Sequence, residues 1–282
     1  MEVLKIKAYA KINLTLDIIG KRDDGYHLID SVMQSVSLAD EIIIEKADEI
    51  TVECETEEII GQSNIAYKAA QSFFKRTGLS GGAKIAINKH IPLAAGLGGG
   101  SADAAAVICA LDRIYNTNLS KQTLQKIALN VGADVPFCIS GGTARVGGIG
   151  EEVEPVKACP DCTIILIKHG KKLSTADMYK KIDTAPISLS NTPDAVKAIT
   201  NGKIKELASN IGNAFSAVCF DEELINDIKS TSPLAVSLSG SGPTVFAVYE
   251  DSTSAKKAAE TLEQSGYNPI IVSPVTSGIK FE

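Results

Sequence analysis

The sequence predicts an α+β protein of two domains, and three observations support this prediction. Its 282 residues are enough for one large domain or for two ordinary ones. Residues 4–18 alternate between apolar and polar side chains, which is the period of a half-buried strand. The second half combines strands and helices in an order that is typical of an independent two-layer unit. We therefore expect one domain over residues 1–155 and another over residues 156–282.

The first half begins with the alternating segment, which places Lys11 and Asn13 side by side on its polar face. This segment is long enough for the strand to bend or break midway. A turn-rich stretch follows at 20–27, and two further strands are predicted at 41–46 and 50–53.

Besides the helix that follows the glycine loop at 102–111, two helices are expected in the rest of the first half. The first runs over 64–77, with Ser63 as its N-cap and Gly78 just beyond its end. The second runs over 121–131, and the composition of 151–161 is typical of a linker.

The second half has its own regular order. Its predicted segments are a strand at 163–168, helical segments within 175–229, strands at 234–238 and 243–249, a helix at 254–264 and a strand at 269–273. Counting the first helical region as one unit gives the order β-α-β-β-α-β, which is ferredoxin-like. This order supports a separate C-terminal domain.

The segment 91–101 is the most informative part of the chain, because it contains four glycines within five residues. A predicted strand at 83–88 precedes it, and strong helix formers follow at 102–111. Glycines leave backbone N–H groups accessible, and a helix N-terminus adds donors and partial positive charge. The segment therefore predicts a cradle for an anion, most often phosphate. The alternative is a glycine-rich turn that caps a buried helix, although such a turn needs only one or two glycines.

Two better-known phosphate loops do not match this segment. The Walker pattern requires Lys and then Ser or Thr after its last glycine, whereas Ser101 follows Gly100 directly. The dinucleotide fingerprint requires glycine at its sixth position, which is Ser101 when the pattern starts at Gly96.

Composition excludes several classes of protein. A net charge of −6 argues against nucleic-acid binding as the main function, because that needs a basic surface. We find no apolar run long enough for a membrane span and no signal-peptide core, so we expect a cytoplasmic protein. The six cysteines are then best interpreted as free thiols, including Cys159 and Cys162 in a Cys-Pro-Asp-Cys segment.

Three isolated polar side chains are candidates for chemistry. Asp134 lies in an apolar segment between Gly132 and Pro136, where a carboxylate is usually paired or functional. The alternative for Asp134 is a turn cap, and the alternative for Lys11 is a surface position on an edge strand. His27 lies in a flexible turn, where a single histidine often has no specific role. Because these residues lie in separate segments beside glycine loops, we expect them to form one assembled site.

On these motifs, the chain resembles the GHMP family of small-molecule kinases. The blocks that carry the resemblance are Ala10-Lys11-Ile12-Asn13-Leu14 with Gly25-Tyr26-His27, the loop 92–101 with Gly132-Ala133-Asp134-Val135-Pro136, and Leu238-Ser239-Gly240-Ser241-Gly242-Pro243-Thr244. The glycine loop by itself indicates only the superfamily. The first block narrows the resemblance to members that phosphorylate the 2-hydroxyl of the methylerythritol unit of a cytidine diphosphate alcohol.

The resemblance implies an N-terminal ATP-binding domain and a C-terminal ferredoxin-like domain, with the site in the crevice between them. It assigns the ATP phosphates to Pro92, Leu93, Ala94, Ala95, Gly96, Leu97, Gly98, Gly99, Gly100 and Ser101. Asp134 would accept the proton of the substrate hydroxyl, and Lys11 would lie close to it. Mg²⁺ is expected with ATP, and the hydroxyl of Ser101 is a suitable ligand for it.

The resemblance also implies the contacts of the second substrate. They are Asn13, Tyr26, His27, Thr175, Tyr179, Ser239, Gly240 and Ser241. Tyr26 would stack on the cytosine and His27 would bind its edge by hydrogen bonds. We expect a small-molecule substrate, no nucleic-acid partner, no membrane partner, and a monomer or homodimer. Two alternatives remain: a sister kinase for homoserine, mevalonate or a sugar, and a catalytically inactive relative that acts as a sensor.

Overall fold

The computed structural model of the protein describes residues 3–55, 61–170, 174–185, 192–219 and 221–282. Within these ranges the chain forms a larger and a smaller β-sheet with helices packed against them. The fold is therefore of the predicted α+β class. No helix within the described ranges is both long and apolar enough to cross a bilayer.

The larger sheet has the central order β12-β1-β2-β4-β3, with β5 on β2, β6 on β5 and β8 on β1. Its strands are β1 (Val3–Lys21), β2 (His27–Ala47), β3 (Thr51–Cys54), β4 (Gly82–Asn88), β5 (Thr143–Gly147), β6 (Glu152–Pro155), β8 (Gly212–Asn213) and β12 (Ile279–Phe281). Strand β6 lies within the segment that we had interpreted as a linker. Register shifts at Tyr9/Lys11 and Asn13/Thr15 confirm the predicted bend of β1.

Strand β2 is longer than the sequence predicted, because it starts at His27 and not at residue 41. Its first half buries polar side chains such as Ser31 and Gln34, so the sequence of this part lacks the alternation of apolar and polar residues that indicates a strand. Hydrogen bonds across the sheet satisfy these groups: Ser31 Oγ donates to the Thr15 carbonyl, and Gln34 Oε1 accepts from Thr143 Oγ1. Tertiary contacts therefore stabilise a strand that its local pattern does not indicate.

The smaller sheet confirms the ferredoxin-like order of the second half. Its order is β11-β7-β10-β9, and its three pairings are antiparallel. The strands are β7 (Thr163–Lys168), β9 (Ala235–Leu238), β10 (Thr244–Tyr249) and β11 (Ile270–Val272). Each lies within one residue of its predicted bounds.

Strands β8 and β12 connect the two halves, because both belong to the second half of the chain but pair with β1. The chain returns to the first sheet by a close backbone approach: a Cβ on Gly141 would lie 1.6 Å from the backbone nitrogen of Gly278. The division between residues 155 and 156 stays a prediction for the two domains.

The helices are α1 (Ile65–Thr77), α2 (Gly99–Ile114), α3 (Lys121–Leu129), α4 (Val135–Ser140), α5 (Thr175–Ile182), α6 (Thr192–Thr200), α7 (Ile204–Ala208), α8 (Glu222–Ser230) and α9 (Ser252–Gln264). Asn64 caps α1 by accepting a hydrogen bond from the N–H of Ala66, so the predicted cap at Ser63 was wrong by one residue. Gly78 ends α1 in the left-handed conformation, as predicted.

Helix α2 lies at the centre of the first half and is almost wholly buried. Its alanines, among them Ala102, Ala104, Ala105 and Ala106, allow it to pack closely against α1, α4, β1 and β2. Because its sides are enclosed, the position of its N-terminus is well determined.

A buried ion cluster attaches α2 to the larger sheet. The ammonium group of Lys89 contacts a carboxylate oxygen of Asp40 on β2 and one of Asp103 on α2, the latter at 2.7 Å. Asp40 also accepts the backbone N–H groups of His90 and Ile91. One ammonium group faces two carboxylates, and burial raises the pKa of Asp103 to about 7. The cluster therefore holds an extra proton below neutral pH.

We expect Asp103→Asn to weaken the pH dependence of stability. A pKa of about 7 keeps the proton on folded Asp103 where the unfolded carboxyl, with a pKa of 3.8, has released it. Wild-type stability should therefore fall as the pH rises from about 4 to about 7, and level off above. Thermal unfolding midpoints across this range measure the effect, and parallel curves for the two proteins would contradict it.

Candidate active site

A cavity of about 810 Å³ lies where the two halves of the chain meet. Its walls include the whole glycine loop at 92–101, the polar face of β1, the turn before β2 and residues of α5. Of the side chains and loops predicted for the site, all except Ser239 line this cavity. The structure therefore brings together segments that are far apart in the sequence.

The glycine loop ends in the N-terminus of α2, which faces the cavity. Gly98 is the N-cap in a left-handed conformation, with φ of 69°, and the helix begins at Gly99. The N–H groups of Gly99, Gly100 and Ser101 precede the first intrahelical bond, which the N–H of Ala102 makes to the Gly98 carbonyl. These donors and the helix dipole favour an anion at this end of the cavity.

Two glycines of the loop are required by close packing. A Cβ on Gly98 would lie 2.8 Å from Cγ of Lys11, and a Cβ on Gly96 would lie 2.4 Å from the carbonyl oxygen of Ser239. The backbone also joins these segments, since the N–H of Lys11 donates to the carbonyl of Leu97 at 2.9 Å. The loop therefore fits against β1 on one side and the 239–242 loop on the other.

The side chain of Lys11 is buried beneath the glycine loop, with 4% of the residue exposed. Its ammonium group donates to Asn13 Oδ1 at 2.8 Å and lies 3.4 Å from Asp134 Oδ2. Asn13 in turn donates to Ser31 Oγ at 2.9 Å, which fixes the orientation of its amide. The alternative of a surface lysine is therefore wrong for Lys11.

Asp134 is the N-cap residue of α4, a helix that the sequence analysis did not identify because it is only one turn and a half long. Its side chain makes no capping hydrogen bond within the described chain, so the alternative of a turn cap is not supported. About a third of that side chain is exposed, on the cavity wall beside Lys11. Its carboxylate is therefore accessible to a ligand.

The 239–242 loop closes the cavity from the second half. Ser239 is fully buried behind the cavity wall, where its Oγ donates to the Gly96 carbonyl at 3.0 Å. Gly240 and Ser241 line the cavity, and a Cβ on Gly240 would lie 3.5 Å from the ammonium nitrogen of Lys11. Direct substrate contact by Ser239 stays a prediction, and its observed contact is with the glycine loop.

A cluster of rings forms another part of the cavity. The imidazole of His27 stacks on Tyr179, with ring centroids 4.5 Å apart, and Phe215 meets the edge of Tyr179. Tyr26 presents a largely exposed ring, with 59% of the residue accessible. The 4.5 Å spacing leaves no room for another ring between His27 and Tyr179, whereas the ring of Tyr26 is accessible.

Asp183 fixes this cluster from the second half. Its Oδ1 lies 2.7 Å from His27 Nε2, and its Oδ2 lies 2.6 Å from the ammonium group of Lys21. These two hydrogen bonds hold the pKa of Asp183 below its ordinary value. Burial raises the pKa of Tyr179 to about 12, so its phenol stays protonated.

Three residues that also line the cavity, Lys21, Asp183 and Phe215, were not predicted from the sequence. Asp183 lies 156 positions from His27, and no local pattern marks either Lys21 or Phe215. Only the folded arrangement brings them to the cavity.

The residues present fit a magnesium ion that is held mainly by phosphate oxygens. Among the described residues, no group of three or more His, Cys, Asp or Glu side chains could form a metal cage. Ser101 lies in the first turn of α2 on the cavity wall, where its hydroxyl can complete the coordination of such an ion.

Comparisons with known proteins assign the chain to a family. The family models for the GHMP kinases N terminal domain and the GHMP kinases C terminal domain match residues 64–142 and 195–268. The 4-diphosphocytidyl-2-C-methyl-D-erythritol kinase of Caldanaerobacter subterraneus subsp. tengcongensis is 46% identical over 255 residues, which cover 88% of each chain. That of Acetivibrio thermocellus is 42% identical and covers 98% of this chain and all of its own.

Solved structures show the same relationship. A crystal structure of 4-(cytidine 5'-diphospho)-2C-methyl-D-erythritol kinase matches with a TM-score of 0.80 and 29% identity, covering 96% of this chain and 98% of its own. The homoserine kinase of Cytophaga hutchinsonii matches with a TM-score of 0.78 at 16% identity, covering 100% and 98%, and so shares the fold.

The fold and the matched domains define a small-molecule kinase of the GHMP type that uses ATP. More narrowly, the chain belongs to the family of 4-diphosphocytidyl-2-C-methyl-D-erythritol kinases. The resemblance that the motifs predicted is confirmed.

We expect Gly98→Ala to impair phosphoryl transfer, with Gly78→Ala as its matched control. Both glycines have nearly the same φ, +69° and +70°, so the backbone strain of a left-handed alanine, about 1–2 kcal/mol, is the same at either position. Only at Gly98 would the new Cβ displace Lys11, so kcat/KM for ATP should fall at least roughly tenfold in that variant alone. Steady-state kinetics with thermal unfolding test this, and equal kinetics for the two variants would refute it.

Proposed function

We propose that this kinase transfers the γ-phosphoryl group of ATP to the 2-hydroxyl of 4-diphosphocytidyl-2-C-methyl-D-erythritol, in the non-mevalonate synthesis of isoprenoid precursors. One observation carries the proposal: a single cavity joins the glycine loop, the Lys11–Asp134 pair and the ring cluster around His27. Its volume of about 810 Å³ suits a ligand of nucleotide size. The substrate named for the matched relatives is the same compound.

On the donor side, residues 92–101 hold the phosphates of ATP. The N–H groups at the N-terminus of α2 are the donors, and the close fit of Gly96 and Gly98 fixes their direction. Ser101 provides a hydroxyl for Mg²⁺, which when bound neutralises charge on the phosphates.

At the reacting hydroxyl, Asp134 and Lys11 have different roles. The accessible carboxylate of Asp134 accepts the proton of the 2-hydroxyl. The ammonium group of Lys11, 3.4 Å away, stabilises the negative charge that develops during transfer. Because Asn13 holds this ammonium group at 2.8 Å, the charge is already in position before the substrate binds.

The acceptor substrate extends from this pair towards the rings. Asn13 and Gly240 both adjoin the ammonium group of Lys11, so we assign them to the methylerythritol end. Thr175 and Ser241, whose hydroxyls are 3.5 Å apart, also line the cavity. The remaining contacts recognise cytosine: Tyr26 stacks on the base, His27 binds its edge, and Tyr179 supports the imidazole of His27 from behind.

The two alternatives predict different ligands. A sister kinase for homoserine, mevalonate or a sugar has no base to bind, so the ring cluster would have no role in it. A catalytically inactive sensor would bind a ligand but would have no need for the accessible carboxylate of Asp134 beside the buried ammonium group of Lys11. A cytoplasmic location and a monomeric or dimeric state stay predictions from the sequence.

Release of ADP from Mg²⁺-ATP tests the proposal. The purified protein is assayed with 4-diphosphocytidyl-2-C-methyl-D-erythritol, and in parallel with mevalonate and homoserine. We expect turnover with the cytidine compound alone. Turnover with one of the other alcohols alone would favour a sister kinase, and ATP binding without any turnover would favour the sensor.

We expect Asp134→Asn to lower kcat by roughly 10²–10⁴-fold with little change in the KM for ATP. The substitution preserves size but removes the charge and the proton acceptor beside Lys11. Asp161→Asn, at an exposed position outside the cavity, is the control and should behave like the wild type. A kcat within a few-fold of the wild-type value in Asp134→Asn would exclude this role.

A further inference from the structure

The contact between His27 and Asp183 joins the start of β2 to the C-terminal end of α5. Asp183 is the C-cap of α5, and both of its carboxylate oxygens make a hydrogen bond: Oδ1 lies 2.7 Å from His27 Nε2, and Oδ2 accepts from the ammonium group of Lys21. A carboxylate held at both oxygens has a fixed orientation. The imidazole is fixed as well, because it stacks on Tyr179 with an angle of 16° between the ring planes.

These contacts determine which nitrogen of His27 carries a proton in the neutral ring. The hydrogen bonds from Lys21 and His27 lower the pKa of Asp183, so its carboxylate is ionised and can only accept. The proton of a neutral imidazole therefore lies on Nε2, and Nδ1 keeps its lone pair. The hydrogen bonds of the described residues include none at Nδ1, and His27 lines the cavity.

We propose that Asp183 is a positioning residue that selects cytosine over uracil by fixing the tautomer of His27. The inference rests on the proposed function for the identity of the base. Cytosine carries an amino donor at the position where uracil carries a carbonyl acceptor. An accepting Nδ1 forms a hydrogen bond with the amino group of cytosine, whereas it faces the lone pairs of the uracil oxygen.

Two substitutions separate this role from a purely structural one. Asp183→Asn keeps the size of the side chain, but its amide can donate to Nε2 and thereby transfer the ring proton to Nδ1. Lys21→Met removes the cation and the ion pair between the two halves, but it leaves the bond between Asp183 and His27 in place. Lys21→Met is therefore the control for loss of the ion pair that joins β1 to α5.

The experiment measures binding of CDP and of UDP to the wild type and both variants by calorimetry. We expect the wild type to bind CDP roughly tenfold more tightly than UDP. His27 makes a hydrogen bond to cytosine but faces an acceptor in uracil, and one such hydrogen bond accounts for a difference of this size. Asp183→Asn should remove the preference, and Lys21→Met should retain it. Nitrogen NMR of the imidazoles, with only three histidines in the chain, should show the proton of His27 on Nε2 in the wild type and on Nδ1 in Asp183→Asn.

Each outcome decides the inference. An unchanged ratio of CDP affinity to UDP affinity in Asp183→Asn overturns the inference. An equal loss of the CDP preference in Lys21→Met also overturns it, because Asp183 would then act only by joining β1 to α5. The kinase assay is independent: with the cytidine substrate, Asp183→Asn should raise KM about tenfold and leave kcat nearly unchanged. If the wild type binds CDP with the expected preference but does not turn over the substrate, the proposed function fails and the role of Asp183 stands.

Discussion

The buried ammonium group of Lys11 constrains the arrangement of the whole site. A positive charge that is 4% exposed is unfavourable unless hydrogen bonds and opposite charge compensate it, and here Asn13 and Asp134 do so. The lysine stem must also pass beneath the glycine loop, which requires a residue without Cβ at position 98. A lysine on the polar face of β1 can therefore be buried here only together with a glycine at position 98.

This constraint explains why the two halves of the chain form one cavity. The loop that contains Gly240 covers the ammonium group from the second half, and Ser239 ties that loop to the Gly96 carbonyl. Strands β8 and β12 extend the larger sheet with residues from the same half. The Lys11–Asp134 pair and the glycine loop are thus held by packed secondary structure, which suits the phosphoryl transfer that we propose, because that reaction depends on positioning.

The ring cluster depends on a different kind of contact. The charge of Lys11 is compensated by residues of the first half of the chain. His27, in contrast, is held by Tyr179 and Asp183 from α5. The part of the cavity that we assign to the base is therefore built from both α5 and the start of β2. The N-terminus of α2 is held differently, by the core of the first half and by the cluster around Lys89.

The sequence by itself determined the family and the α+β class, and it predicted most of the residues that line the cavity, because these depend on local spacing and residue type. The strands of the smaller sheet were equally predictable, since each is a short apolar run between turns. Tertiary structure alone decided the first half of β2, whose buried Ser31 and Gln34 are satisfied by distant partners. Tertiary structure also decided the contact of Asp183 with His27, because no local sequence pattern indicates a hydrogen bond between residues that are 156 positions apart.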